Sequence, residues 1–536
     1  MNYARFRLAS IVSAAFCSLM FVPQTAAFAD AAAACSGLIS ATLPLPADAS
    51  TLTIDSAILV ADDGSLPEHC EVNGHLDTEI NFLMELPTVW NGKVLMSGNS
   101  AFAGSFDSLN PGLGDGLARR YATVGTDAGH SGGPEELLNH PDRTANLQYR
   151  SVHLVALTAR EIAKAYYGTD ASHSYFEGCS RGGIQGMKEV QQYPDDFDGV
   201  IAGAPGFPSG GFRLWNSRAL FPDGPSSGVL PGDKVALLTT LVLQKCDGLD
   251  GIVDGLVDDP RKCNFSPDDD LPRCKRDVDH PDCFTRAQTK ALGKIHQGPK
   301  SNGERLGTKY FFSGVEGFSY GDVFGVGVDI LDFSYWASGF PGVPELYPDF
   351  IDIGIPSVDY WLESEFLKFV AFSDPDYPLQ NFDYENAGDV TAYTSALAPQ
   401  WASSPDLSAF KHRGGKLIQW HGWGDPNINA MGTVKFYKAG VNALGGMNRM
   451  RAFDRLFMVP GTSHCGDGPG PWDFDPLAAL EQWVEHGAAP DFIIGSNPYS
   501  GLSRPLCAYP NVARLKAPGL DPNLASSFSC VKGDDD

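Results

Sequence analysis

Ser180 lies in Gly178-Cys179-Ser180-Arg181-Gly182, a G-x-S-x-G pattern. That spacing suits a nucleophile on a sharp strand-to-helix turn, where the hydroxyl stands clear of the backbone and flanking glycines let other main chain approach. A strand-like His173-Ser174-Tyr175-Phe176 precedes it and a helical stretch follows. A serine needs a base, and the base needs an acid to orient it. One recurring chain order is Ser, Asp, His. Asp425 falls in Gln419-Trp420-His421-Gly422-Trp423-Gly424-Asp425-Pro426, and His464 in Gly461-Thr462-Ser463-His464-Cys465-Gly466, each after an apolar, strand-like run. Singly, such residues are more often ordinary loop residues; their order and placement together make them candidates. His421 is the rival base, but it stands too near Asp425 in sequence for the usual arrangement. An oxyanion hole takes two main-chain N–H groups. Arg181, next to the nucleophile, is one candidate donor, and Gly98, in the loop Ser97-Gly98-Asn99-Ser100-Ala101-Phe102-Ala103-Gly104, is the other.

Both Ser180 and His464 have a cysteine neighbour. Arg5 and Arg7, the apolar run from Ile11 to Val22, and Ala27-Phe28-Ala29 read as a secretory signal peptide over residues 1–29. The apolar run is short for a membrane span, and no other run reaches the ~20 residues needed. A secreted or periplasmic location follows as the expectation. Cys17 leaves with the signal, and ten cysteines remain, an even number that suits disulfides in an exported chain. Local spacing suggests Cys35–Cys70, Cys246–Cys263, Cys274–Cys283 and Cys507–Cys530, which leaves Cys179 and Cys465 for each other. Spacing alone does not fix connectivity. The formal charge of −26 argues against nucleic acid as a partner. No feature of the sequence sets an oligomeric state.

The candidates need a scaffold. Short apolar runs at Lys93–Met96, Tyr121–Val124, Ser174–Phe176, Gly199–Ala202, Lys416–Trp420 and Arg455–Val459 each lead into a Gly-rich turn. Helical patterns cover Val152–Tyr167, Gly183–Tyr193 and Ala478–His486. Strands alternating with helices imply a mainly parallel sheet covered on both faces. The rhythm weakens between about Phe207 and Ser404, where aromatics, Gly, Pro and Asp dominate. The expected architecture is therefore α/β, an α/β-hydrolase fold over 30–206 and 405–536 with an inserted lid domain over 207–404. Within that insertion, Cys246–Asp258 packs four aspartates among three glycines. Ca²⁺ takes six to eight oxygens on a tightly curved chain. Asp247, Asp250 and Asp254 can supply side chains, and Ile252 and Leu256 carbonyls. The spacing is not that of an EF-hand.

With these residues set out, the chain resembles the tannase and feruloyl esterase family of α/β-hydrolases over essentially its whole mature length. The most specific element is Cys179-Ser180, Asp425 and His464-Cys465. The resemblance implies a disulfide between the two cysteines beneath the triad, supports the local pairs, and implies a structural Ca²⁺ on the Asp247/Asp250/Ile252/Asp254/Leu256 pattern. It also implies esterase activity on a small aromatic ester, first feruloyl, caffeoyl or coumaroyl esters such as plants supply, with a galloyl ester or a terephthalate monoester as the alternative. Lid aromatics (Trp336, Tyr360, Trp361, Phe366 and Phe369) are candidates to stack on the acyl ring, and Lys368 or Arg181 to meet a carboxylate. The chain departs from the family pattern at Gly98-Asn99-Ser100-Ala101, where relatives often carry a run of glycines, and in having Arg181 after the nucleophile. An inactive binding protein on the same scaffold is the non-enzymatic alternative; an intact Ser, Asp and His set argues against it.

Overall fold

The computed structural model describes residues 24–207, 211–224, 230–316, 357–399 and 402–533. Most of the expected signal peptide, and Trp336, lie outside them. The strands are β1 (Leu52–Val60), β2 (His69–Leu76), β3 (Ile80–Pro87), β4 (Lys93–Ser97), β5 (Ala122–Thr126), β6 (His173–Cys179), β7 (Gly199–Gly203), β8 (Lys300–Ser301), β9 (Glu304–Arg305), β10 (Lys416–Gly422), β11 (Asp454–Val459), β12 (Phe492–Ser496), β13 (Ser503–Cys507), β14 (Asn511–Leu515) and β15 (Phe528–Lys532). Nine form one sheet in the order β1-β2-β3-β5-β4-β6-β7-β10-β11. The run from β5 to β11 is parallel, whereas β1, β2 and β3 pair antiparallel and β3 joins β5 antiparallel. All six expected strands are present in that parallel part. The helices Ser151–Tyr167, Arg181–Gln192 and Pro476–His486 stand within two residues of the expected spans.

Side chains alternate across the parallel strands and build two cores. Val94, Met96, Phe176, Val200 and Leu417 face one layer with Val155, Met187 and Val434 from the helices on that side. Leu95, Tyr175, Ile201, Ile418 and Phe457 face the other, with Leu477, Leu480 and Trp483 of the helix Pro476–His486. Burial on both faces explains why these strands read as continuous apolar runs. Lys93, at the start of β4, fastens that helix by ion pairs to Glu481 (2.6 Å) and Glu485 (2.5 Å).

Between β7 and β10 lies a large, mostly helical insertion that includes the helices Phe212–Leu220, Gly232–Cys246, Arg286–Gln297, Val358–Phe366 and Ala387–Leu397. Its apolar residues form a third core, which also takes in Phe102, Ala128, Leu137 and Leu147 from the hydrolase body. The fold is thus an α/β-hydrolase sheet with a lid-like insertion seated on the loops after β4 and β5. Among the described residues no helix is long and apolar enough to cross a membrane.

Five disulfides join Cys35 to Cys70, Cys179 to Cys465, Cys246 to Cys263, Cys274 to Cys283, and Cys507 to Cys530.

Candidate active site

Parallel register brings the ends of β4, β6, β10 and β11 to one edge: Ser97 pairs with Glu177, Cys179 with Gly203, and Gly422 with Val459. Crevices at the carboxyl ends of such strands are where open α/β sheets bind ligands. Ser180 links β6 to the helix Arg181–Gln192 with φ 62° and ψ −116°, a strained conformation for a residue with a Cβ. Close packing holds it there. A Cβ on Gly178 would lie 2.7 Å from the Gly182 Cα, and one on Gly98 would lie 2.6 Å from the same atom. The Ser180 N–H donates to the Gly203 carbonyl (3.0 Å), and the Gly182 N–H to that of Asn99 (2.7 Å).

The three polar residues singled out by order and loop placement meet at this edge. Ser180 Oγ is 2.9 Å from His464 Nε2, and His464 Nδ1 is 2.7 Å from Asp425 Oδ2. With the proton on Nδ1 donated to Asp425, Nε2 is left to accept the serine proton. Asp425 is buried, and burial opposes its ionisation. The charge of His464 and hydrogen bonds from His421 and His464 outweigh that and hold its carboxyl well below the usual carboxylate range. Its Oδ1 also accepts the N–H groups of Asn427 (2.9 Å) and Ile428 (2.8 Å). The Asn427 side-chain amide in turn donates to Asp359 Oδ1 of the insertion (3.0 Å), tying the acid loop to the lid. The Cys179–Cys465 disulfide, with Cα atoms 5.8 Å apart, joins the residue before the serine to the residue after the histidine.

One expected donor is displaced. The Gly98 N–H donates to the Glu177 carbonyl at 2.8 Å, so it extends the β4–β6 ladder and is not available to an oxyanion. The next amide, Asn99, donates to Gln185 Oε1 at 2.9 Å. Gly98 therefore serves close packing against the elbow, and any donor from this loop lies beyond Asn99. Arg181 is the first residue of its helix, and its Nε donates to the Ala101 carbonyl (2.8 Å), fastening that loop to the elbow. Burial, then the like charge of Arg213, pushes the Arg181 guanidinium down to about 10.

In the insertion, the acidic loop curls around Asp247, whose two oxygens accept the N–H groups of Asp254 (3.0 Å) and Gly255 (2.9 Å). Asp250 accepts the Ile252 N–H at 2.9 Å. Burial, then the charge of Asp250, pushes the Asp258 carboxyl up to about 7, while Arg504, paired with Asp254, offsets part of the charge. Four carboxylates against one buried arginine leave a surplus of negative charge, of the kind that a hard divalent cation neutralises. The sequence did not single out a second cluster, formed by His153, Glu189 and Asp196, whose potential ligand atoms lie within 4.8 Å of one another. It belongs to the hydrolase body, not the insertion. His153 Nδ1 is 2.5 Å from Asp196 Oδ2, and Arg160 Nη2 is 3.3 Å from Oδ1. Burial, then the charge of the neighbouring Asp196, raises the Glu189 carboxyl well above its ordinary value.

The candidate lid aromatics divide. Tyr360 and Phe366 are buried in the insertion's own core, against Phe221 and Tyr393. Trp361 sets its edge on Phe102 of the loop after β4, with ring centroids 5.8 Å apart. Phe369 is partly exposed. Lys368 pairs with Glu365 at 2.9 Å.

The profile described as "Tannase and feruloyl esterase" matches residues 65–531. The mono(2-hydroxyethyl) terephthalate hydrolase of Piscinibacter sakaiensis is 32% identical over 537 residues, covering 89% of this chain and 87% of that protein. A probable feruloyl esterase of Arthroderma benhamiae is 32% identical over 480 residues, covering 84% and 82%. Among solved structures, an esterase from Aspergillus oryzae superposes with a TM-score of 0.78 at 23% identity, covering 93% of this chain and all of that one. Feruloyl esterase B from Aspergillus oryzae gives 0.75 at 24%, covering 94% of this chain and 100% of the other. These likenesses share the fold seen here. The chain belongs to the tannase and feruloyl esterase family of α/β-hydrolases and is an ester hydrolase.

Proposed function

We propose that the protein is a secreted or periplasmic serine esterase that cleaves esters of small aromatic carboxylic acids, hydroxycinnamoyl esters such as ferulates first. The observation that carries this reading is the unbroken relay from Ser180 Oγ through His464 to Asp425. His464 Nε2 takes the hydroxyl proton as Ser180 Oγ attacks the ester carbonyl. Asp425 orients the ring and stabilises its charged form. The oxyanion is met by the Arg181 N–H and a second main-chain donor in the loop after β4, past Asn99. His464 returns the proton to the departing alcohol, then activates the water that hydrolyses the acyl-enzyme. Ca²⁺ would be held by the side chains of Asp247, Asp250 and Asp254 and the carbonyls of Ile252 and Leu256, supplying a structural crosslink in the lid. Five disulfides suit an oxidising compartment, in keeping with residues 1–29 as an export signal.

Likeness to the Piscinibacter hydrolase favours a terephthalate monoester as the second reading. That substrate needs a cation for its free carboxylate; Lys368 already faces Glu365 and Arg181 Nε already donates to the Ala101 carbonyl, which favours the uncharged hydroxycinnamoyl esters. Comparing kcat/KM over methyl ferulate, methyl caffeate, methyl gallate and mono(2-hydroxyethyl) terephthalate tests the assignment. The expected result is the highest value for a hydroxycinnamate. A preference for the terephthalate monoester would replace the leading substrate, and inactivity on all four would remove the aromatic-ester reading.

A further inference from the structure

We infer that His421 is a positioning residue for the triad: with its ring fixed by Thr433, it holds the Asp425 carboxylate in the orientation that His464 needs. The inference rests on the Ser180–His464–Asp425 reading above. His421 is the penultimate residue of β10 and is fully buried. Its Nε2 lies 3.0 Å from Asp425 Oδ2 and 3.0 Å from the Ile428 carbonyl oxygen. Both are acceptors, so Nε2 carries a proton. Its Nδ1 lies 2.7 Å from Thr433 Oγ1, whose hydroxyl donates to it when the ring is neutral. Both nitrogens are thus committed away from Ser180, which excludes His421 as the base and gives it another task.

Asp425 explains that task. Its Oδ1 is filled by two main-chain N–H groups, and its Oδ2 is shared by His464 Nδ1 at 2.7 Å and His421 Nε2 at 3.0 Å. Four donors satisfy a buried carboxylate. Without the His421 donor, Oδ2 loses one of its two holds, and the carboxylate can pivot about its Oδ1 anchor and draw Oδ2 away from the line to His464. A carboxylate with fewer donors also pulls harder on the Nδ1 proton, which favours the charged form of His464. The other ionisable groups nearby are His464 from the loop after β11, Tyr310, whose hydroxyl feels the charges of Glu316, Asp425 and Asp359, and Asp359 itself, which holds Asn427. None of them replaces the lost hydrogen bond.

The test compares His421→Phe, His421→Gln and Thr433→Val with the unaltered protein and with Ser180→Ala, using methyl ferulate and a p-nitrophenyl ester. Rates are normalised to folded protein by circular dichroism. For His421→Phe, kcat should fall on the order of 100-fold, the scale of a small misplacement of a catalytic group. KM should stay within about twofold, and the acid limb of kcat/KM should move to higher pH. His421→Gln keeps an N–H donor and should recover at least ~10-fold of the loss, with Thr433→Val intermediate. Unchanged kcat per folded molecule and an unchanged acid limb, with only Tm lowered, would overturn the inference and leave His421 a core residue. If His421→Phe does not fold, the Gln and Val variants decide by the same two readouts. Activity retained by Ser180→Ala would instead remove the triad reading, whatever His421 does.

Discussion

Ser180 is held at φ 62° because Gly98, Gly178 and Gly182 leave no space for a Cβ between the loops that meet behind it. The serine motif was legible as a pattern, but its reason lies in two distant stretches of backbone, the loop after β4 and the elbow, meeting at close range. The same convergence explains the displaced oxyanion donor. Gly98 reads as a loop residue, yet its amide still belongs to the sheet, bonded to Glu177. Glu177 has a consequence of its own. It stands on β6, where burial and the like charge of Asp475 raise its carboxyl to about 7 against a counteracting Arg119. Below the unfolded value, about 4.3 for glutamate, both states are protonated and the site is neutral in stability. As pH rises from there through the native value, the unfolded chain ionises first and stability falls. Glu177→Gln should therefore match the unaltered protein near pH 4 and exceed it at pH 8 by about 1–2 kcal/mol, as urea unfolding at the two pH values would read. A difference independent of pH would show that Glu177 titrates normally.

Elements were legible where their signal was continuous. The six parallel strands are buried on both faces and read as apolar runs. The antiparallel β1, β2 and β3 were not picked out; in β2 and β3 buried residues alternate with half-buried ones, and β3 runs Ile80-Asn81-Phe82-Leu83-Met84-Glu85-Leu86-Pro87 with every second residue of its first seven buried. The hairpins β12–β13 and β14–β15 pair mainly with each other rather than with the main sheet, so they lack its apolar signature. The Cys179–Cys465 link operates at this scale, since it joins the end of β6 to the loop after β11. Cys465 itself adopts φ 59° beside His464. Replacing both cysteines by serine should cost about 2–5 kcal/mol of stability. It should also lower kcat per folded molecule, because the loop carrying His464 loses its tie to the elbow. Unchanged specific activity in the folded fraction would make the link structural only.

For the whole molecule, the insertion and the hydrolase body meet beside Asp425. Asn427 bonds Asp425 through its main chain and Asp359 through its side chain. A weakened strand–helix rhythm and a shift in composition marked the insertion, but no sequence signal showed that it touches the loop carrying Asp425. The acidic loop provides a whole-molecule test. If it holds Ca²⁺, exhaustive EGTA treatment should lower Tm by about 1–2 °C, the size expected when roughly 1–2 kcal/mol is removed from a chain this large. Re-addition of Ca²⁺ should restore Tm, and Asp247→Asn should abolish the response. A Tm indifferent to EGTA and to Ca²⁺ would leave the loop a solvated acidic turn.

The central claim is that Ser180, activated by His464 and Asp425, carries the acyl group. Intact-mass and peptide-mapping measurement of the enzyme, acid-quenched during turnover of methyl ferulate, tests it most directly. The expected result is a feruloyl adduct on the peptide containing Ser180, absent in Ser180→Ala, which should also lose turnover. Steady hydrolysis by Ser180→Ala, or an adduct mapped to another residue, would contradict it.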